Sequence, residues 1–155
     1  MTTTAATSVP ALDPRAIALA HYASRAVLER VLARHGITFR QSVTLRLFAV
    51  AEGPVGHDAV VAQATASLKV PAAEIRATVG ELADRGLVAP EGDGLLITDA
   101  GRALHTATTA ETAPISARIY DGIPEEDLAA AGRALARIRE RADAELAALE
   151  AADGH

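Results

Sequence analysis

The residues with the clearest capacity for chemistry are basic side chains in and around the segment PAAEIRATVGELADRG, residues 71–86. A guanidinium group donates paired hydrogen bonds to a phosphate or to the edge of a guanine, and an ammonium group attracts a phosphate as a point charge. Arg76 lies inside the segment, and Lys69 lies in the turn just before it. Weaker candidates for the same contacts flank them in the sequence: Arg40, Arg46 and Arg85.

The periodicity of this segment predicts a helix with two unlike faces. Ile75, Val79 and Leu82 are spaced so that they share one buried stripe of a helix. Small residues surround Arg76 on the opposite face, and small side chains let a helix approach another surface closely. They are Ala73, Ala77 and Gly80. We expect Arg76 to project outward and the alanine methyl groups to meet thymine methyl groups. The alternative for Arg76 is an ion pair with an acidic neighbour on the surface.

Capping residues predict three helices ahead of this segment. Asp13-Pro14 starts the first helix, which is expected to reach Arg34. Thr38 starts the second, which ends before Gly53-Pro54. Asp58 is expected to cap the third.

The stretch LVAPEGDGLLI follows the segment and contains two short apolar runs separated by turn-forming residues, which is typical of a tight β-hairpin. Because two strands alone are marginally stable in water, the hairpin must pack on the helices. Thr98 is expected to cap a fifth helix that reaches Ile119, with a kink or break at Pro114.

A sixth helix is predicted over residues 124–152, where apolar residues recur in a heptad-like pattern. The residues of this stripe are Leu128, Leu135, Ile138, Ala142, Leu146 and Leu149. A single chain of this size offers too little partner surface for so long a helix. We therefore expect the stripe to form a homodimer interface together with Ile17 of the first helix, and a monomeric bundle is the alternative.

Composition excludes several kinds of site. The chain has 155 residues, a net charge of −5, 50% apolar residues and only 3% aromatic residues, and its alanine-rich segments favour helices. It has no cysteine, which excludes disulfides and thiolate chemistry. The histidines lack metal-ligand spacing, and no phosphate-cradling glycine loop or nucleophile elbow occurs. We expect no metal, no cofactor and no catalysis.

The N-terminal residues 1–12 are small and mainly polar, and they are expected to form a disordered tail. They lack the basic and apolar regions of an export signal, and no apolar run is long enough to span a membrane. These observations predict a cytoplasmic protein without a membrane partner.

Three stretches together resemble the MarR family of bacterial transcriptional regulators: ATASLKVPAAEIRATVGELADRGLV, LLITDAGRAL and IYDGIPEEDLAAAGRALARI. The resemblance extends from the first helix to the sixth. It implies a mainly helical fold with a small β-hairpin, in which a winged helix-turn-helix over residues 36–101 binds DNA. The flanking residues 13–35 and 102–151 would then be dimerisation helices.

The resemblance also assigns roles to residues. The recognition helix, which enters the major groove, falls on Ala72 to Arg85, and the strand signature L-T-x-x-G falls on Ile97, Thr98 and Gly101. A homodimer would place two recognition helices on a pseudo-palindromic operator. The implied DNA-contacting residues are Arg40, Lys69, Ala72, Ala73, Arg76, Ala77 and Arg85.

Two departures from the family pattern concern DNA contact. The turn before the recognition helix has Pro71 where the family usually has Ser or Thr, so a capping hydroxyl is missing. The wing, as the family's hairpin is called, is short and its tip is acidic, with Glu91 and Asp93 but no basic residue. We therefore expect this wing to brace the fold more than it contacts DNA.

The family commonly binds an anionic aromatic effector in a cleft between its dimerisation helices and its winged domain. The resemblance implies that aromatic and cationic residues near that cleft could form such a niche. They are His21, Tyr22, Arg25, Phe48 and Tyr120. The alternative is that these side chains only pack at a junction between subunits.

These patterns predict a homodimeric, sequence-specific regulator of transcription, most readily a repressor. Residues 36–101 have five basic side chains against eight acidic ones, so we expect few phosphate contacts and strong dependence on DNA sequence. The alternative is a winged-helix dimer with weak or lost DNA binding that serves as a protein-interaction or ligand-binding module.

Overall fold

A computed structural model describes residues 10–154. Its helices are α1 (Pro14–Arg34), α2 (Phe39–Val50), α3 (His57–Leu68), α4 (Ala72–Asp84), α5 (Asp99–Tyr120) and α6 (Glu125–Asp153). The strands β1 (Val88–Glu91) and β2 (Gly94–Ile97) lie between α4 and α5. The prediction of a mainly helical fold with one small β-hairpin is confirmed. Residues 10–12 have no regular secondary structure, and the rest of the predicted tail lies outside the described residues.

The described chain packs as two units. Residues 18–117, called here the winged unit, contain α2 to α4, the hairpin and most of α1 and α5. Residues 10–17 and 118–154, called here the terminal unit, contain α6 and the outer ends of α1 and α5. The boundaries between the units therefore fall inside helices α1 and α5. The domain boundaries predicted from the sequence are at residues 35 and 101.

The predicted capping of α1 and α2 is confirmed. Asp13 Oδ1 accepts a hydrogen bond from the backbone N–H of Ala16 at 2.7 Å. Thr38 Oγ1 accepts from the N–H of Gln41 at 3.1 Å, and Gln41 Oε1 accepts from the N–H of Thr38 at 3.1 Å. This reciprocal capping box satisfies two backbone donors that the first turn of α2 cannot pair internally.

One local prediction is wrong, and one of the two alternatives of another is excluded. Asp58 does not cap α3, because the N-cap is Gly56 and Asp58 lies in the first turn. Its carboxylate instead contacts a side chain on α4, as described below. At Pro114, where the sequence predicted a kink or a break, there is no break, since α5 continues from Asp99 through Pro114 to Tyr120.

The core of the winged unit is formed where α2, α3 and α4 pack against one another, with the hairpin against α2 and α4. The predicted buried stripe of α4 is confirmed, because Ile75, Val79 and Leu82 are each at most 1% exposed. Burying a side chain of this size stabilises a fold by about 2 kcal/mol. The opposite face of α4 is thereby held at the surface.

The hairpin is antiparallel, with Val88 opposite Ile97 and Glu91 opposite Gly94. Gly92 occupies the first central position of its two-residue turn with φ +58°, a conformation that tight hairpin turns require and glycine adopts readily. Val55, in the loop between α2 and α3, pairs with Leu95 through two backbone hydrogen bonds of 2.8 Å. The hairpin is thus attached to the loop before α3.

The strand signature seats the first turn of α5 against the end of α4. Thr98 Oγ1 donates to the carbonyl oxygen of Gly86 at 2.6 Å and accepts from the N–H of Gly101 at 3.1 Å. A Cβ atom on Gly101 would lie 2.1 Å from the carbonyl oxygen of Leu87, so only glycine fits there. The threonine and the glycine of the signature therefore have one shared structural role.

The terminal unit contains α6, a continuous helix of 29 residues, none of which is buried. Glu125, Glu126 and Asp127 lie in its first turn, where the helix dipole favours negative charge.

Candidate nucleic-acid interface

The outward face of α4 is open in the described chain. The small residues that the sequence assigned to this face, Ala73, Ala77 and Gly80, are all exposed, and so is Ala72 at the start of the helix. Because Ile75, Val79 and Leu82 fix the rotation of α4 on the core, this face cannot turn inward without exposing that stripe. The result is a helix face with short side chains around one exposed guanidinium, that of Arg76.

Arg76 does not simply extend from this face. Its Nη1 atom lies 3.1 Å from Asp58 Oδ1, in the first turn of α3. The two side chains are 51% and 91% exposed, so solvent reaches both groups. The ionic alternative of the sequence analysis thus describes this conformation, although the partner is a residue on the preceding helix.

A second cation beside α4 is paired in the same way. Arg40 Nη2, on the first turn of α2, lies 2.6 Å from Glu74 Oε2, on the first turn of α4. Both side chains are more than two-fifths exposed. The two arginines nearest the start of α4 are therefore each held by a carboxylate of the winged unit.

Arg85 lies at the other end of α4 and contacts α2. Its Nη1 atom donates to Gln41 Oε1 at 3.2 Å, while Gln41 Nε2 donates to Glu81 Oε2 at 2.7 Å. Arg85 thus belongs to a chain of hydrogen bonds that links the two helices. This arrangement directs it toward α2 in the conformation described.

Lys69 closes α3 in a left-handed conformation, with φ 54° and ψ 40°. Pro71 then precedes α4 without a side-chain capping hydrogen bond. The tight turn between α3 and α4 therefore depends on an unusual backbone conformation at a non-glycine residue. Lys69 is exposed at this turn.

The wing ends in an acidic tip, since Glu91 and Asp93 are both exposed. Gly94 lies close to the backbone of the loop between α2 and α3. A Cβ atom at that position would lie 2.7 Å from the carbonyl oxygen of Val55. The base of the turn is packed directly on the α2–α3 loop, consistent with a bracing role.

The proposed effector residues belong to different parts of the described chain. Phe48 is 1% exposed and belongs to the core. The prediction that its ring lines an effector niche is therefore wrong. His21 and Tyr22 have ring centroids 6.0 Å apart, and Arg25 lies 4.4 Å from the centre of the Phe39 ring while pairing with Glu29. Tyr120 is exposed and belongs to the terminal unit.

A cavity of about 390 Å³ lies between α1, the start of α2 and α4. Phe39, Leu68 and Val70 contribute its apolar walls. Its charged groups already have partners within the unit, as described for Arg25, Arg40 and Glu81. Polar groups nevertheless make up the larger part of its lining, so the cavity offers a ligand a mixed surface with more polar than apolar area.

Two groups of interacting side chains on α5 were not predicted from the sequence. His105 is half-buried, and burial together with the charges of Arg46 and Arg102 lowers its pKa. Glu111 joins the end of α1 to α5, since it pairs with Arg34 and its Oε2 atom lies 2.6 Å from His35 Nε2. Hydrogen bonds from these two residues hold the pKa of the Glu111 carboxyl below its usual range.

The residues expected at a dimer interface remain largely uncovered within the chain. Leu135, Ile138 and Leu146 are 40–44% exposed, and Leu149 is 62% exposed. Ala142 is also exposed, while Ile17 and Leu128 are half-buried. The terminal unit therefore presents a row of apolar side chains along α6.

Neither a metal-binding cluster nor a membrane-spanning helix occurs among the described residues. Among residues 10–154, no three histidine or acidic side chains are grouped so that they could hold a metal ion. The same residues contain no helix with the length and apolar character needed to cross a bilayer.

No protein-family model matches the chain, and no curated protein matches it. Solved structures do. CouR from Rhodococcus jostii RHA1 bound to p-coumaroyl-CoA has a TM-score of 0.67 at 21% identity, over 79% of this chain and 88% of its own. A MarR family transcriptional regulator from Rhodococcus sp. RHA1 has a TM-score of 0.66 at 21% identity, over 79% and 89%.

A third solved structure is similar over a larger part of the chain. The MarR family protein Rv2887 of Mycobacterium tuberculosis in complex with DNA has a TM-score of 0.64 at 19% identity, over 83% of this chain and 98% of its own. Identities this low show the fold and leave the site residues open. The chain has the MarR-type winged-helix fold.

Proposed function

We propose that this protein is a homodimeric transcriptional regulator that binds a specific DNA sequence and acts as a repressor in the cytoplasm. The observation that carries the proposal is the exposed, small-residue face of α4 around Arg76, on a helix whose other face is locked in the core. Such a face admits close approach to base edges, and a guanidinium supplies bidentate recognition of guanine. The similar protein Rv2887 was solved in complex with DNA, which supports this proposal.

Dimerisation in this proposal uses the apolar row of α6 with Ile17. Two copies related by a twofold axis would bury the same residues on both sides. Their α4 helices would then enter successive major grooves of a pseudo-palindrome, about 34–36 Å apart.

The DNA-contacting residues in this proposal are those of the α4 face together with nearby cations: Arg40, Lys69, Ala72, Ala73, Arg76, Ala77 and Arg85. Arg76 reads a base, and Lys69 and Arg40 contact phosphates. The guanidinium of Arg85 donates to Gln41 here, so a contact with DNA would use its remaining N–H donors.

The proposal also includes a small aromatic or anionic effector, whose binding releases the DNA. The similar CouR was solved with p-coumaroyl-CoA, which supports ligand responsiveness in this fold. His21, Tyr22, Arg25 and Tyr120 remain the residues proposed for such a ligand, without Phe48. Effector binding would change the spacing of the two recognition helices.

A gel-shift titration with the intergenic DNA beside the protein's own gene tests the proposal. Specific retardation that survives competitor DNA supports a regulator, and Arg76→Gln is expected to abolish it. Arg133→Gln removes the same charge from the terminal unit and serves as the matched control, which should bind normally. Absence of retardation even at low salt would instead support a protein-interaction or ligand-binding module, a function favoured by the acidic wing tip.

Salt dependence provides a second measurement. Because residues 36–101 have five basic side chains against eight acidic ones, we expect a shallow dependence of log K on log salt concentration. A slope steeper than about −8 per dimer would require roughly nine neutralised phosphates and would contradict the proposal of few phosphate contacts.

A further inference from the structure

Two carboxylates hold the two arginines beside the start of α4. Asp58 Oδ1 lies 3.1 Å from Arg76 Nη1, and Glu74 Oε2 lies 2.6 Å from Arg40 Nη2. Each pair joins neighbouring helices, α3 to α4 in the first case and α2 to α4 in the second. Both lie at the end of α4 that carries the small-residue face.

Folding stability gives a weak reason for these pairs. All four side chains are at least 41% exposed, and exposed ion pairs contribute little to stability because water and salt screen them. Each acid also lies in the first turn of a helix, a favourable place for negative charge, but that interaction does not require an arginine partner.

These ion pairs affect DNA binding more than they affect folding stability. A phosphate that takes Arg76 from Asp58 gains one cation but brings its own charge close to a carboxylate that has lost its partner. Replacing Asp58 by a phosphate as the partner of Arg76 is therefore unfavourable for a duplex that offers only phosphates. A duplex that also offers a guanine at the right position gives the guanidinium paired hydrogen bonds, which offset the loss.

We infer that Asp58 and Glu74 are specificity-determining positioning residues: they hold Arg76 and Arg40 so that non-specific duplex DNA is rejected and only a matching sequence displaces them. The inference rests on the proposed function and deepens it. The surrounding charge is consistent with it, because residues 36–101 have eight acidic and five basic side chains and the wing tip adds no cation.

The test measures the affinity of the full-length protein for two duplexes by fluorescence anisotropy. One is the duplex retarded in the gel shift, and the other is a scrambled duplex of equal length and composition. Asp58→Asn and Glu74→Gln are each expected to strengthen binding to the scrambled duplex by about tenfold per dimer, since two sites change at once. Binding to the matching duplex should strengthen less, so the ratio of the two affinities falls.

Asp84→Asn is the matched control. It removes the same charge from the last turn of the same helix, away from both pairs. It is expected to change both affinities by the same small factor and to leave their ratio intact. A thermal melt of each variant close to that of the parent protein confirms that the fold is kept.

A double substitution separates positioning from simple loss of negative charge. If Asp58 acts through Arg76, Asp58→Asn gives no gain on the scrambled duplex when Arg76→Gln is already present. A gain that persists without Arg76, or a ratio that Asp58→Asn leaves unchanged, overturns the inference alone. Failure of the parent protein and every variant to bind either duplex at low salt overturns the proposed function, and the inference with it.

Discussion

Helices α4 and α6 both carry an apolar stripe, but only the stripe of α4 is covered by its own chain. Ile75 and Leu82 of α4 are fully buried against α2 and α3, whereas no residue of α6 is buried. The comparison teaches that periodicity identifies a face that needs a partner without identifying the partner. For α4 the partners are helices close in sequence, and for α6 we propose a second copy of the chain.

The difference has an energetic consequence. The winged unit is stabilised by contacts within one chain, so its stability does not depend on protein concentration. The proposed contacts of α6 form between chains, so they depend on concentration through mass action. Substitutions in the winged unit should therefore change the free energy of unfolding, and substitutions in the apolar row of α6 should change the oligomeric state.

The largest expected effect is on assembly. Leu135→Glu places a charge in the middle of the α6 row, and burying an unpaired charge at an interface costs about 3–5 kcal/mol. We expect the variant to be monomeric by light scattering at micromolar concentration and to lose tight DNA binding. Because Leu135 is 41% exposed within its own chain, the thermal stability of the winged unit should be unchanged.

Ala136→Glu, one residue along α6, is the control for that change and should still dimerise. A monomeric parent protein, or a dimeric Leu135→Glu variant, would contradict the proposal that the apolar row of α6 forms the dimer interface.

Glycines in the two regions provide the next test. Gly101→Ala forces a Cβ atom against the carbonyl oxygen of Leu87, so we expect it to lower the free energy of unfolding by about 3 kcal/mol. Gly132→Ala in α6 meets nothing within 4 Å and should instead stabilise the helix by about 1 kcal/mol. Chemical denaturation measures both, and equal effects would contradict the described packing of α5 on Leu87.

Helix capping gives a smaller effect. Thr38→Ala removes the capping box of α2 and should cost about 1 kcal/mol of stability. Thr106→Ala, an exposed position inside α5, makes the same chemical change without a cap and should cost nothing. If both variants melt alike, the capping box contributes nothing to the winged unit.

The smallest effect is a dependence on pH through His105. Burial and two nearby arginines lower its pKa in the fold, so the unfolded chain takes up the proton first as pH falls. Stability is therefore full above the ordinary pKa of about 6.5 and declines as pH drops through that value. His105→Asn should narrow the difference in melting temperature between about pH 7.5 and about pH 5.5. An unchanged difference would show that His105 does not contribute.

Local signals explain what the sequence predicted well. Asp13 and Thr38 cap the helices that follow them, and Ile75, Val79 and Leu82 are buried together, because each of these features depends on residues within one turn or one helix. The signature Thr98 and Gly101 also acts over a short distance, across the end of the hairpin.

Longer-range pairing explains the rest. Asp58 has the right type and spacing for a cap, but its carboxylate pairs with Arg76, eighteen residues away. Phe48 was assigned to a niche by its aromatic ring, and only the packing of α2 shows that this ring fills the core. Glu111 meets His35 across 76 residues, a distance at which no periodicity applies.

The attachment of Val55 to Leu95 also bears on aggregation. The bridge occupies part of the free edge of β2, and Pro90 on β1 has no backbone N–H to offer an incoming strand. Neither border of this small sheet is a good template for strand addition from another molecule. The hairpin can thus be short and solvent-exposed without promoting amyloid-like growth.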